Sequence, residues 1–443
     1  MRRKSIAAII CAVALAGLTF GCGSKEAEGE NTGGESKSKS EKTITIMASQ
    51  DWVYDAEMEL GKKFEEETGI AVDYQIVPSD QYYNLLMTKL NSGEGPDIFA
   101  GQSGSFDLVS QYKIEENAVD LSDQPWVEAL RDFEKEQVSV DGKVYGATYY
   151  DTTTDYYMVY NKKIFKENGL EVPKSFSEFE EVCKTLNENG VIPVYEPASD
   201  GWHHVLWFCE IGGKFEELVP DIVDKLNNNE IKFADVPEFE EALAQIKGLA
   251  DKGYFGDNYL SDEYVNFAKS LGSGEYAMTL VKAGAIAEIV EASEGKYADE
   301  DFSFFLIPTL DNDVLNEHPC GPSRFIYSGS KNIEEAKKYL EYITTKDSVQ
   351  SMIDNESRVE NLPYEVGQTP KYSEETNKFL ESFDKKGVVF QDTIKYLNPQ
   401  WMELGQDMVA MFIDDMTPKN VLEQIDARRT TQAEASKDSA WSK

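Results

Sequence analysis

The chain of 443 residues sets 43 Lys and Arg against 81 Asp and Glu, a formal charge of −38 at pH 7. A surface this acidic repels phosphate backbones and anionic headgroups, which argues against nucleic-acid binding and against adhesion to a membrane through a basic patch. Hydrophobic residues at 41 % and aromatics at 12 % exclude a disordered chain, and the length suits roughly two or three domain-sized units.

Arg2, Arg3 and Lys4 precede an apolar stretch from Ile6 to Phe20, followed by Gly21, Cys22 and Gly23. This is the form of a secretory signal peptide over residues 1–21, shorter than the ~20 apolar residues that span a bilayer. LTFGC at Leu18 to Cys22 resembles a bacterial lipobox, which implies a lipid on Cys22. Thr19 and Phe20 depart from the usual pattern, and plain secretion is the alternative. From residue 22 to 42 the chain is rich in Gly, Ser, Glu and Lys and reads as a flexible tether. With Cys11 in the signal, Cys183, Cys209 and Cys320 remain, an odd number without CxxC spacing, so no disulfide framework is expected. Whether Cys209 and Cys320 meet stays open. Cys183 shares a helical face with Phe179 and Leu186 and reads as a buried thiol.

Thr43 to Ala48 alternates as a strand, Ala56, Leu60 and Phe64 lie on one helical face, and Gly69 ends that helix. Ile70 to Ile76 alternates again, Tyr82, Leu86 and Leu90 mark a second helix closed by Gly93, and PDIFA at Pro96 to Ala100 gives a third strand. Such strand–helix alternation predicts an α/β fold with a mostly parallel sheet and a ligand beyond its strand ends. A second such region opens with the strand YYMVYN at Tyr156 to Asn161. A capping box, Ser175 with Glu178, starts the next helix, and short strands follow at Val191 to Tyr195, Tyr276 to Val281 and Phe302 to Ile307. The last third is helical, with stripes at Ile333, Ala336, Leu340 and Ile343, then at Leu404, Met408 and Met411. A final helix is opened by Thr417 and Pro418.

Seven segments carry a resemblance: the signal with its lipobox, the flexible tether, GKKFEEETGI at Gly61, GEGPDIF at Gly93, the run from Asp141 to Leu170, GSGEYAMTLVKAGAIAEI at Gly272, and VLEQIDARRTTQAEA at Val421. In this order they resemble the extracellular solute-binding family that includes the maltose-binding protein. The resemblance implies a two-lobed periplasmic-binding-protein-like fold of type II, with a hinge crossed three times. It would place residues 43–149 and 310–350 in lobe 1, and 150–309 and 351–443 in lobe 2. It implies a carbohydrate ligand, ABC transporter permease subunits as partners, a monomer, no cofactor or metal, and a site outside the cytoplasm on the outer face of the cytoplasmic membrane.

A pyranose offers an apolar face to aromatic rings and a rim of hydroxyls to carboxylate, amide or guanidinium partners. Trp52, flanked by Gln50 and Asp51, follows the first strand; Trp202 lies in the polar loop EPASDGWHH; Trp401 falls where the maltose-binding protein has a sugar-stacking Trp. Trp207 and Trp441 read as packing residues. Gln102 and Asp151 stand where relatives use side chains that reach the ligand, Tyr150 is placed at the cleft floor, and Arg324 lies near the second crossing, with a hinge salt bridge as its alternative. Asp97 reads as local structure. Lys282, Ala283, Gly284 and Ala285 occupy a segment where the family often has a Trp, which speaks against linear maltodextrins. A polyamine or peptide is the alternative solute. A secreted glycan hydrolase is the alternative class, although no GxSxG elbow, HExxH or Walker lysine motif is present.

Overall fold

Ile44 and Ile46 alternate with partly exposed neighbours and are fully buried, which seats strand β1 (Lys42–Ser49) at the heart of a first sheet. The computed structural model describes residues 42–442 apart from 51, 153, 154 and 319. The signal peptide, Cys22, most of the tether and Asp51 lie outside the described residues. Helix α1 (Asp55–Thr68) turns Leu60 and Phe64 inward and ends at Gly69, whose φ of 74° lets its N–H close on the Glu65 carbonyl. Then come β2 (Ile70–Val77), α2 (Ser79–Ser92) with Tyr82, Leu86 and Leu90 buried, β3 (Ile98–Gln102) and β4 (Gly146–Thr148). Asp97 is structural: Oδ2 accepts from Thr45 N at 2.8 Å and Oδ1 from Ser330.

The second half begins with β5 (Tyr156–Asn161) and α3 (Phe176–Glu188). Ser175 Oγ caps the Glu178 N–H, while the Glu178 carboxylate reaches Lys174 N rather than Ser175 N, so the expected box closes one residue early. Strands β6 (Ile192–Tyr195), β7 (Tyr276–Lys282) and β8 (Phe302–Phe305) complete a second sheet, after which β9 (Pro322–Ile326) returns to the first.

The first sheet has the order β2-β1-β3-β9-β4, with β1 parallel to β2 and β3, and β9 antiparallel to β3 and β4. The second runs β8-β5-β7-β6, and only the β6–β7 pair is parallel. The expected mostly parallel arrangement therefore holds for the leading strands of the first sheet alone. Strand β9 enters from the other half of the molecule rather than over a covering helix, so it can run against its neighbours.

Each sheet has its own core. Ile46, Tyr149, Ile326, Leu340, Val359 and Tyr364 pack on the first, and Met158, Phe179, Trp207, Phe305, Leu404 and Ile425 on the second. The chain passes between these cores three times, after Tyr149, before Phe325 and beyond Tyr364. Leu310 and Leu315 pack with the second core, whereas Ile353, Val359 and Leu362 pack with the first, so core membership changes later than residues 310 and 350. Pairing of Leu315–Glu317 with Lys386–Val388 explains the first shift, because it holds that segment beside the second half until the crossing. Cys183, Cys209 and Cys320 are buried free thiols, and Trp207 and Trp441 are packing residues, as expected. Among the described residues, no helix is long and apolar enough to cross a membrane.

Candidate ligand-binding cleft

On the first-sheet side, one buried ion pair fixes the approach to the cleft. Arg324, fully buried on β9, donates from Nη2 to Glu57 Oε2 at 2.7 Å and from Nε to Glu57 Oε1 at 3.2 Å. The same Nη2 donates to the Trp52 carbonyl at 2.7 Å. The salt-bridge alternative thus describes Arg324, and the expectation of direct ligand contact is corrected, since its guanidinium lies behind Trp52. The Trp52 ring meets Tyr82 and Tyr83 edge-on at 5.3 and 5.9 Å between centroids, an aromatic shelf at the carboxyl end of β1.

The second-sheet side is built on the loop after β6. Gly201, at φ 77°, turns the chain so that Trp202 packs against Tyr264 at 5.0 Å and Tyr156 at 6.2 Å. Behind Trp202, buried His203 faces Glu196 Oε1 from Nδ1 at 2.6 Å and the Leu280 carbonyl from Nε2 at 2.8 Å. Burial opposes a charge on this imidazole, but Glu196 outweighs it and raises its pKa. Trp401 opens helix α4 (Trp401–Phe412) and donates from Nε1 to the Trp202 carbonyl at 3.1 Å, tying its indole to the backbone of the loop.

Helix α4 comes so close to this loop that one position tolerates no side chain. A Cβ on Gly405 would stand 1.7 Å from the Gly201 carbonyl oxygen, and the Gly405 carbonyl accepts from His204 Nε2 at 2.7 Å. Gly405→Ala is expected to cost about 3 kcal/mol through this backbone clash. Urea unfolding measures the loss, and an unchanged midpoint would show that the loop retreats freely.

Between the two sides lies a cleft with about 1130 Å³ of unfilled space, partly open to solvent. Of the seven residues expected to meet ligand, Trp52, Gln102, Tyr150, Trp202 and Trp401 line it, and Asp151 and Arg324 do not. Asp151 is buried at the first crossing, where Oδ2 accepts from Glu360 N at 2.8 Å and Asn361 N at 3.2 Å and its carbonyl accepts from Lys282. It clips the first crossing to the segment that precedes the third. Missed in the sequence were Tyr54, Tyr83, Tyr156, Tyr264 and Arg358. Gln102 Oε1 is buried and has no hydrogen-bond partner among the described residues, an acceptor suited to a ligand donor. Ser49, Gln50, Ser79, Gln391 and Asn398 add hydroxyl and amide groups.

Beneath the cleft, acids gather where the chain crosses between the cores. Burial, then mutual repulsion with Asp155 and Asp392, raises the pKa of Glu210, while His318 Nδ1 stands 3.1 Å from Asp392 Oδ2, an ion pair when the imidazole is protonated. Asp392 also accepts from Cys320 N at 2.9 Å. No cluster among the described residues has a metal-holding arrangement. Asn398 Nδ2 donates to Asp107 Oδ2 at 2.8 Å, joining the two halves. Burial, with a smaller push from Asp392, raises the Asp107 carboxyl to about 7 against the pull of Asn398. Burial and Asp151 bring Glu360 to about 7 as well. Both carboxyls hold their protons more tightly folded than unfolded. Their contribution is therefore full below the ordinary carboxylate range and lost as pH rises through about 7. Stability measured by urea unfolding is expected to fall from pH 5 to pH 8. Asp107→Asn should flatten that slope, and an unaltered slope would contradict the assignment.

The fold and site define a class: two α/β halves joined by three crossings, with an aromatic-walled cleft between them. The sequence model of the bacterial extracellular solute-binding proteins matches residues 51–350, and the chain belongs to that family. Membership places the folded part outside the cytoplasm and makes it a binding protein rather than an enzyme. The chain is 28 % identical over 352 residues to the diacetylchitobiose binding protein DasA of Streptomyces coelicolor, covering 77 % of each chain. It is 24 % identical to the multiple sugar-binding protein of Streptococcus mutans, over 72 % of this chain and 75 % of that one. A sugar transporter protein of Bacillus licheniformis, solved in complex with stachyose, shares the fold with a TM-score of 0.71 at 20 % identity, over 88 % of this chain and all of the other.

Proposed function

We propose that the protein captures an oligosaccharide in this cleft and delivers it to the permease subunits of an ABC importer. The observation that carries the reading is the pair of aromatic platforms, Trp52 with Tyr83 on one side and Trp202 with Tyr156, Tyr264 and Trp401 on the other, facing one space. Each platform suits the C–H face of a pyranose, and the amides and hydroxyls around them suit its rim. The sugar-binding relatives support the same ligand class.

In this reading core membership divides the lobes: residues 42–149 and about 320–371 form lobe 1, and the remainder of the folded chain forms lobe 2. Ligand touches both lobes when they are closed and one when they are open, so binding shifts the population toward closure, and the closed surface is what the permease reads. Cys22 carries the lipid that keeps this monomer on the outer face of the cytoplasmic membrane. A polyamine fits less well, because no carboxylate among the described residues lines the cleft.

The test is a panel of mono- and oligosaccharides, peptides and polyamines scored by melting temperature, with each mixture checked for product. A ligand at a hundredfold excess over its Kd adds about 2.7 kcal/mol of stability. A shift confined to saccharides, without turnover, supports the proposal. A shift from a peptide or polyamine alone, or consumption of the sugar, overturns it.

A further inference from the structure

We infer that the saccharide held in the cleft carries a carboxylate, and that the guanidinium of Arg358 binds it. This rests on the proposed saccharide function and names its chemical class.

The first observation is the sign of the charges at the site. Acids outnumber bases by 81 to 43 in the whole chain. Among the described residues lining the cleft, the Asp and Glu side chains are absent and the Lys and Arg side chains are Lys282 and Arg358. A sugar with neutral hydroxyls alone gains most from carboxylates, which accept two hydroxyl hydrogens with charge assistance. A lining whose described charged side chains are cations suits a ligand bearing its own anionic acceptor.

The second observation is how Arg358 is held. Its guanidinium carbon lies 4.6 Å from the centroid of the Tyr54 ring, itself part of the lining. Nε donates to Glu356 Oε1 at 3.0 Å and lies 3.5 Å from Glu288 Oε1. Both ion pairs use Nε, and among the described residues Nη1 and Nη2 make no hydrogen bond. A planar guanidinium fixed at one edge and against a ring offers the opposite edge as a two-pronged donor, and a carboxylate is the group that takes both prongs. Lys282, 4.2 Å from the Tyr150 centroid, adds positive charge on the second-sheet side of the same space. Glu288 and Glu356 offset the charge of Arg358, so discrimination comes from the bidentate fit of the guanidinium rather than from long-range attraction.

The experiment compares oligomers of galacturonate, glucuronate and mannuronate with their carboxyl-reduced neutral counterparts, by titration calorimetry against the purified protein and the variants Arg358→Gln and Arg358→Lys. The expected result is that an acidic oligomer binds at least roughly tenfold more tightly than its neutral counterpart. Arg358→Gln erases that preference and Arg358→Lys keeps part of it. Melting temperatures of the free variants show that each is folded. A neutral oligosaccharide that binds as tightly as the acidic ones, or an acidic preference that survives in Arg358→Gln, overturns the inference and leaves the proposed function standing. Failure of every saccharide, acidic and neutral, in this set and the wider panel overturns both.

Discussion

Arg324→Met is expected to lower the unfolding free energy by about 3–5 kcal/mol, the usual cost of stripping one partner from a fully buried ion pair. The reason lies with the group left behind. Glu57 is fully buried, and among the described residues its carboxylate has one long contact beyond Arg324, from the Tyr339 hydroxyl at 3.5 Å. Without the guanidinium its charge has no counterion and its oxygens lose two donors. The Trp52 carbonyl loses its donor too, so ligand affinity should fall along with stability. The double variant Glu57→Leu with Arg324→Met removes both charges and should regain most of the stability but little of the affinity, because Trp52 remains unanchored. Urea unfolding and ligand titration on the same samples separate the two effects. Equal loss in the single and double variants would mean that the charge pair is not what stabilises this region.

Trp202→Ala is expected to weaken saccharide binding by about 2 kcal/mol or more, roughly 30-fold, as truncation of a central aromatic anchor does at other binding sites. Trp202 is the hub of its platform: Tyr156 and Tyr264 meet its ring and Trp401 bonds to its carbonyl. Trp401→Phe keeps an aromatic face and loses the Nε1 donor, so it should weaken binding less. The ordering of the two variants in a calorimetric titration is the readout. If Trp202→Ala binds as tightly as the wild type, the platform is packing and the ligand lies elsewhere.

Much of the fold was legible because its periodicities are local. The alternation of Ile44 and Ile46, the 60–64 stripe of α1 and the glycine at residue 69 each report on a few neighbouring residues. Strand direction was less legible: β9 runs against β3 because of where the chain re-enters the sheet, a fact no local pattern carries. The lobe boundaries suffered likewise, since Leu315 is held beside the second core by a pairing with residues more than sixty positions later.

The site divides along the same line. Trp52, Trp202 and Trp401 stood out as large apolar rings in polar loops beside strand or helix ends, and all three line the cleft. The sequence suggests Asp151 and Arg324 as ligand contacts near the crossings, and the structure has both near the crossings but outside the cleft lining. What decided their place is burial against Glu57 in one case and against the amides of residues 360 and 361 in the other. Tyr54, Tyr264 and Arg358 gave no signal, since each reaches the cleft through tertiary packing. Lys282 stands in the sequence where the family often has a Trp, and its side chain borders the same space.

Central to the proposed function is a saccharide that lies between the two sheets and touches both. A crystal structure of the protein with the oligosaccharide that gives the largest melting shift tests it directly. The predicted result is sugar rings stacked on Trp52 or Tyr83 on one side and on Trp202 or Trp401 on the other, with Gln102 Oε1 accepting a hydroxyl. A sugar bound outside this cleft, or in contact with one sheet alone while the lobes are closed, would contradict it.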